Sequence, residues 1–459
     1  MGFFRTMFGP KKPAAPRRSE SVSVGSFELD GGRQEPSLMP GRRAPQLVAP
    51  ARAFTPTQPR QGRRQIVGRQ TELSRILQAL QEDRSHVVLY AERGRGKTSL
   101  TNMVVEALRR GDVVVARHTC DADSNFDTIL RGLMRDLPSS LLAAQEHDAN
   151  AEGCEQALPN RDLRPGDAVS LPSRLLCPSL VCVIDEFDRV EDPATRTRIA
   201  DAIKQLSDRD VDLRFLIVGV SENLDQILGQ HPSIQRNVLG VHLPLFTDRD
   251  VSLLIAKGAR ESGFSFSDIG VARIVGLARG MPYMAQLLAL RLVQAASQRD
   301  DTVVSDEDFE SAIAGLVADA NPRVLVLYSE LTAHGQNGDM IAALREIATA
   351  PQDAWGRLTV LQGGGGGGVL VGGQPINAAC WAPIQEAHVL KSYGSSSGLY
   401  VFAERSLMHH ALLLAAQDAA SRDPDVGDPR PDTVPAEPTI TRHPPWLQPI
   451  ASRALAARI

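Results

Sequence analysis

The residues best able to do chemistry are Gly94, Gly96, Lys97 and Thr98, followed about 90 residues later by the adjacent carboxylates Asp185 and Glu186. Glycines at 94 and 96 let the backbone curl so that successive N–H groups point inward and deliver an anion to a helix N-terminus. Lys97 is then placed to reach the β and γ phosphates of a nucleoside triphosphate, and Thr98 to set its hydroxyl on Mg²⁺. Two acids closing an apolar run need a partner, and a magnesium-bound triphosphate supplies it. Asp185 would hold the metal through water, while Glu186 would orient and deprotonate the attacking water. Each half has a plainer reading by itself: a chance Gly-Lys-Thr in a surface turn, or a strand that simply meets solvent. Their joint presence in one chain favours a site for ATP and Mg²⁺.

The pattern departs from G-x-x-x-x-G-K-[ST] at one point, because Ala91 occupies the first glycine position. A methyl there restricts the backbone slightly, but Gly94 and Gly96 remain. The full loop assigned to nucleotide binding is Ala91, Glu92, Arg93, Gly94, Arg95, Gly96, Lys97, Thr98 and Ser99.

Flanking elements must position these groups. Residues 85–90 read as a strand feeding the loop, and Leu100, Met103, Val104, Ala107 and Leu108 give a helix with one buried face. Residues 180–188 form an unbroken apolar run ending in the acids, the mark of a strand buried on both faces. Further strands are expected at 113–120, 213–220 and 238–244, and helices at 73–80, 126–137 and 195–206, with a loop-rich excursion at 138–175. Alternating strands and helices imply an α/β fold with a parallel sheet and its ligand at the carboxyl ends of the strands. Ser221 and Asn223 follow the strand at 213–220. Either they sense the γ-phosphate or position water, with Asn223 the candidate, or they cap the next helix.

The order of these elements resembles the AAA+ superfamily of P-loop ATPases, in particular the branch shared by replication-initiator-like and bacterial STAND-type ATPases. The resemblance is carried by Ile-Val-Gly-Arg at 66–69, the loop at 94–98, Val-Ile-Asp-Glu-Phe-Asp at 183–188 and Val-Gly-Val-Ser-Glu-Asn at 218–223. It spans residues 64–300 and implies a helical lid and a nucleotide contact from the box arginine, Arg69. It also implies that Arg236, before the next strand, is an arginine finger for a neighbouring subunit, although a surface arginine is the even alternative. A finger from outside stabilises phosphoryl charge only once subunits assemble, so the resemblance implies an ATP-dependent homo-oligomer. At the lid, Tyr283 stands where initiator-type members carry an arginine. The Gly-Met-Pro at 280–282 looks like the STAND pattern, and Pro282 is expected to place backbone against the nucleotide. That points to a switch more than to a motor.

Composition permits this. The chain has 459 residues, 42% of them apolar, and a net charge of −4. That charge hides an asymmetry: residues 1–64 hold twelve Lys or Arg against four acids, which leaves the remainder about −12. Five dispersed cysteines without C-x-x-C spacing suggest neither disulfides nor zinc and fit a reducing cytoplasm. No apolar stretch is long enough to span a membrane, so a soluble protein with no membrane partner is expected.

Five segments result: a disordered basic arm at 1–60, the ATPase core at 61–245, the lid at 246–320, a winged-helix-like domain at 321–417 and a disordered Pro-rich tail at 418–459. The winged helix is expected from helices at 324–328, 340–348 and 376–391, followed by a two-stranded wing at 391–402. The glycine run at 363–368 interrupts it as a surface loop. Lys391 is the only cation of the helix expected to enter a groove, so DNA binding is weakly supported and an unknown protein partner is favoured. Three functional readings stand: a nucleotide-dependent switch, a DNA-associated loader or transposition regulator, and a nucleotide-holding scaffold with little turnover.

Overall fold

The computed structural model describes residues 49–56, 67–142, 153–177, 179–221, 227, 234–333, 337–362, 368–393 and 398–420. Residues 1–48 and 57–60 of the arm expected at 1–60, Asn223, most of the glycine run and residues 421–459 of the tail expected at 418–459 therefore lie outside the described residues.

Five parallel strands form the first sheet: β1 (His86–Tyr90), β2 (Val114–Thr119), β3 (Leu180–Asp185), β4 (Leu213–Gly219) and β5 (Val238–His242). Their order is β2-β3-β4-β1-β5. Every residue of β3 and β4 is buried, as their unbroken apolar runs predict for a parallel sheet covered on both faces. Alternation sorts the side chains. Val87 and Leu89 face α2 (Gln70–Gln81) and α3 (Lys97–Arg110), whereas Val88 faces α4 (Phe126–Arg135), α5 (Pro165–Arg174) and α6 (Pro193–Asp208). The register pairs Tyr90 with Gly219 and Ile184 with Ile217, which brings the carboxyl ends of β1, β3 and β4 side by side. The described parts of the excursion, 138–142 and 153–175, are less irregular than their polar, proline-punctuated sequence suggests. Pro165 starts α5, and Ala168 and Leu171 bury against α6.

Four helices follow: α7 (Asp248–Ser262), α8 (Asp268–Ala278), α9 (Pro282–Gln298) and α10 (Asp306–Ala318). Capping boxes from Thr247 with Asp250 and Ser305 with Asp308 start two of them. Arg279 and Gly280 adopt left-handed conformations that end α8, and Pro282 opens α9, as the Gly-x-Pro punctuation predicts. A short N-terminal helix, α1 (Pro50–Ala53), precedes Phe54, which is buried in this bundle.

The last unit holds α11 (Pro322–Ala333), α12 (Asn337–Thr349), β6 (Leu358–Gln362), β7 (Val369–Val371), β8 (Gln374–Ile376), α13 (Ala378–Glu386), β9 (Leu390–Ser392), β10 (Leu399–Phe402) and α14 (Arg405–Ala420). Its antiparallel sheet has the order β8-β7-β6-β10-β9. The helix expected at 376–391 is shorter than its sequence suggests, because Ile376 ends β8 and Lys391 belongs to β9. Where a two-stranded wing is expected, β9 and β10 pair antiparallel as the edge of this five-stranded sheet, with β10 also paired to β6. Helix α14 was missed by periodicity because both of its faces are covered: Met408 packs in the C-terminal core and Leu413 against the lid. All five cysteines are free. No helix among the described residues is long and apolar enough to cross a membrane.

Candidate nucleotide site

The loop after β1 curls as its glycines predict: Gly94 has φ +81° and Gly96 φ +91°, conformations that a side chain would strain. Gly96 caps α3, so Lys97, Thr98 and Ser99 form the first turn of that helix and their N–H groups face the cavity above. Ala91 is fully buried in the core between α3 and the sheet, which explains why a methyl is accepted there. Lys97 Nζ donates to the carbonyls of Ala91 at 2.8 Å and Glu92 at 3.0 Å. Burial lowers its ammonium to about 8, partly offset by Asp188 and Asp185.

A cavity of about 620 Å³ lies over this loop. Its polar wall comes from Arg93, Lys97, Thr98, Glu186, Asp188 and Arg189, and its other side from Thr55, Pro282, Tyr283 and Gln286. The lid touches the loop directly, since the N–H of Tyr283 donates to the carbonyl of Gly94 at 3.4 Å. A Cβ on Gly94 would stand 3.0 Å from Met281 Cε and 3.3 Å from Tyr283 Cβ.

The acidic pair divides. Asp185 ends β3, is 6% exposed, and is ion-paired to Arg117 of β2 at 2.5 Å. Arg117 also donates to Asn102 of α3 at 2.7 Å. Glu186 turns the chain with φ +53°, a conformation costly for a non-glycine residue, and aims its carboxylate into the cavity, where Arg189 holds it at 3.0 Å. Asp188 also reaches the cavity and accepts from the N–H of Val220 at 2.7 Å, tying the ends of β3 and β4 together. Asp185 does not line the cavity, whereas Thr98, Glu186 and Asp188 do and offer only hard oxygen donors, a set that suits Mg²⁺.

Other sequence-predicted residues fall elsewhere. Arg69 does not line the cavity. It is 3% exposed, bonded to the carbonyls of Arg95 at 3.2 Å and Pro244 at 2.8 Å, and stacked 4.6 Å from the Phe246 ring. Its guanidinium braces the loop from behind. Glu92 and Arg95 also turn away, toward each other and the C-terminal unit. Ser99 and Pro282 line the cavity as expected. Asn223 is outside the described residues, while Ser221 is buried at the end of β4. Arg236 is exposed just before β5. Since β5 runs parallel to β1, with Val238 opposite His86, Arg236 sits at the amino end of the sheet, roughly 16 Å of strand away from the loop. Sequence reasoning passed over Arg117, Arg189 and Gln286, because isolated polar residues carry no spacing signal.

Residues 65–218 match the family model of the AAA ATPase domain. The chain is 27% identical over 166 residues to the Holliday junction branch migration complex subunit RuvB of Parafrankia sp. (strain EAN1pec), covering 33% of this chain and 45% of that one. It is 26% identical over 235 residues to the subunit of the same name from Salinispora tropica, covering 51% of this chain and 57% of that one. The chain thus spans about half the length of these curated relatives. Among solved structures, the Aeropyrum pernix ORC2 protein in its ADPNP–ADP complexes aligns with a TM-score of 0.45 at 15% identity, covering 80% of this chain and 98% of that one.

Proposed function

We propose that the chain binds and hydrolyses ATP and acts as a nucleotide-dependent switch, a reading supported by the match of residues 65–218 to the AAA ATPase domain. The observation that carries this is one cavity lined by Lys97 and Thr98, from the first turn of α3, by Glu186, just after β3, and by lid residues Pro282 and Tyr283. The N–H groups of the loop and Lys97 bind the phosphates, with Lys97 exchanging its two carbonyl partners for phosphate oxygens. Thr98 directly, and Asp185 through water, would hold Mg²⁺, which neutralises phosphate charge when bound. Glu186 takes the proton of the attacking water once Arg189 releases its carboxylate. Arg236, at the far end of the sheet from its own cavity, serves only a neighbouring copy, so assembly gates turnover.

The C-terminal unit reads as a winged-helix-like domain with β9 and β10 as the wing. Its helix α13 carries no Lys or Arg, which favours a protein-binding role over duplex DNA. The RuvB relatives nevertheless make DNA an outcome worth measuring. ATPase rate and particle size are to be determined for wild type, Glu186→Gln and Arg236→Ala, with and without duplex DNA. Turnover surviving Glu186→Gln would remove the assigned base, and turnover surviving Arg236→Ala would remove the finger. Stimulation by DNA would favour the loader reading.

A further inference from the structure

Two side chains of the phosphate loop point out of the cavity and into the C-terminal unit. Glu92 lies between two guanidinia: Arg95 Nη2 reaches its Oε2 at 3.1 Å, and Arg405, the first residue of α14, pairs with it through Nε and Nη2. Arg95 is 1% exposed and Arg405 8%, so the cluster is shielded from solvent. Burial works against ionisation of Glu92, yet Arg405 and Arg95 outweigh it and hold the carboxyl below its usual range.

The contact is built on both sides. Arg95 also donates to the carbonyl of Trp355 at 2.7 Å, and Arg405 to Gly356 O at 3.2 Å and Gln352 Oε1 at 3.2 Å. The turn at 353–357 is shaped for this: Gly356 has φ +78°, and a Cβ there would lie 1.9 Å from Arg405 Nη2. Trp355 continues a ring stack, 4.6 Å from His242, which is 4.9 Å from Tyr90 at the end of β1. One domain thus grips both the loop and the strand that feeds it.

We infer that Arg405 is a positioning residue for the nucleotide site: the C-terminal domain completes the phosphate loop, and its seating and nucleotide binding favour each other. The inference rests on the ATP-binding reading above. Its sign follows from charge. Without Arg405, the cluster loses its net positive charge and leaves a poorly compensated carboxylate in a loop that must receive a polyanion. The same carboxylate belongs to the residue whose carbonyl accepts from Lys97. A loosened Glu92 therefore also disturbs the lysine's starting position. Reciprocity requires that a ligand gripping the loop tighten the domain contact by the same factor.

The test uses the full chain and a fluorescent ADP analogue with Mg²⁺. Binding is titrated for wild type, Glu92→Gln, Arg405→Gln, the double variant and Arg405→Lys, and hydrogen exchange is followed over 350–357 with and without ligand. Arg405→Gln is expected to weaken binding roughly tenfold, with partial recovery in Arg405→Lys. The double variant should be less impaired than the product of the single effects, because the two residues share one interaction. Ligand should slow exchange at 353–357 in wild type and lose that effect in Arg405→Gln. Unchanged affinity in Arg405→Gln, or single effects that simply multiply, would overturn the inference by reducing Arg405 to a local structural role. A wild-type chain that takes up none of the analogue would overturn the nucleotide reading and the inference together.

Discussion

The two five-stranded sheets use their residues in opposite ways. In the parallel sheet the central strands β3 and β4 are buried throughout, and candidate chemistry is delivered at the carboxyl ends, where Tyr90 leads into the loop and Asp185 into Glu186. In the antiparallel sheet side chains alternate: Val360 and Val371 point into the core, while Leu361 and Leu370, paired across β6 and β7, face solvent. None of the described residues of that sheet lines the cavity. Its unit acts through the turn before β6 and the first residue of α14. Chemistry in the first unit is local to a strand and its following loop. The second meets that loop through hydrogen bonds between residues 260 and 313 positions apart.

Four outcomes sharpen or break this contrast. Largest is Glu186→Gln, which should cut ATP turnover by about 10²–10⁴ while nucleotide still binds. Single-turnover kinetics beside a binding titration would show it, and loss of both together would mean that Glu186 holds ligand instead of acting as base. Next, Gly356→Ala should destabilise the seated C-terminal unit by about 2–3 kcal/mol, since the methyl meets Arg405 in a left-handed backbone. Denaturant unfolding reads that cost.

Third, acid should weaken the fold. His86 is held neutral at about 3, by burial and then by Arg214, and its Nδ1 accepts from the N–H of Phe215. His242 and His409 are each held at about 4, chiefly by burial. An unfolded chain takes up these protons near 6.5, so between pH 6.5 and 4 it binds more protons than the folded one, and stability falls as pH drops. Thermal scans across that window should show a declining midpoint. A flat profile would mean that the imidazoles are not held neutral. Smallest is Gly315→Ala on the exposed face of α10, where nothing lies within 4 Å of an added Cβ. It should stabilise by about 0.5–1 kcal/mol.

How much of this was legible beforehand follows the same division. Residues 85–100 and 180–188 announce themselves because a buried parallel strand is a continuous apolar run and the following turn needs glycine or acid in fixed order. The Gly-x-Pro at 280–282 was equally readable, since αL geometry and a proline at the first helical position leave a local mark. Arg405 left none. It opens a helix buried on both faces, without an amphipathic stripe, and its partner Glu92 lies 313 positions away in the sequence. Arg69 was read as a ligand contact from its box, yet its guanidinium is consumed by the carbonyls of Arg95 and Pro244. A motif can locate a residue without saying which way its side chain turns. The acids were found as a pair, but their separate arginine partners, Arg117 and Arg189, depend on register and turn geometry.

The central claim is that the loop at 91–99 holds a nucleoside triphosphate through Lys97. Calorimetric titration of Mg-ATP into wild type and Lys97→Ala tests it most directly. One saturable site per chain is expected in wild type, weakened roughly a hundredfold when the charged donor is removed. Equal affinity in the two proteins would contradict the account.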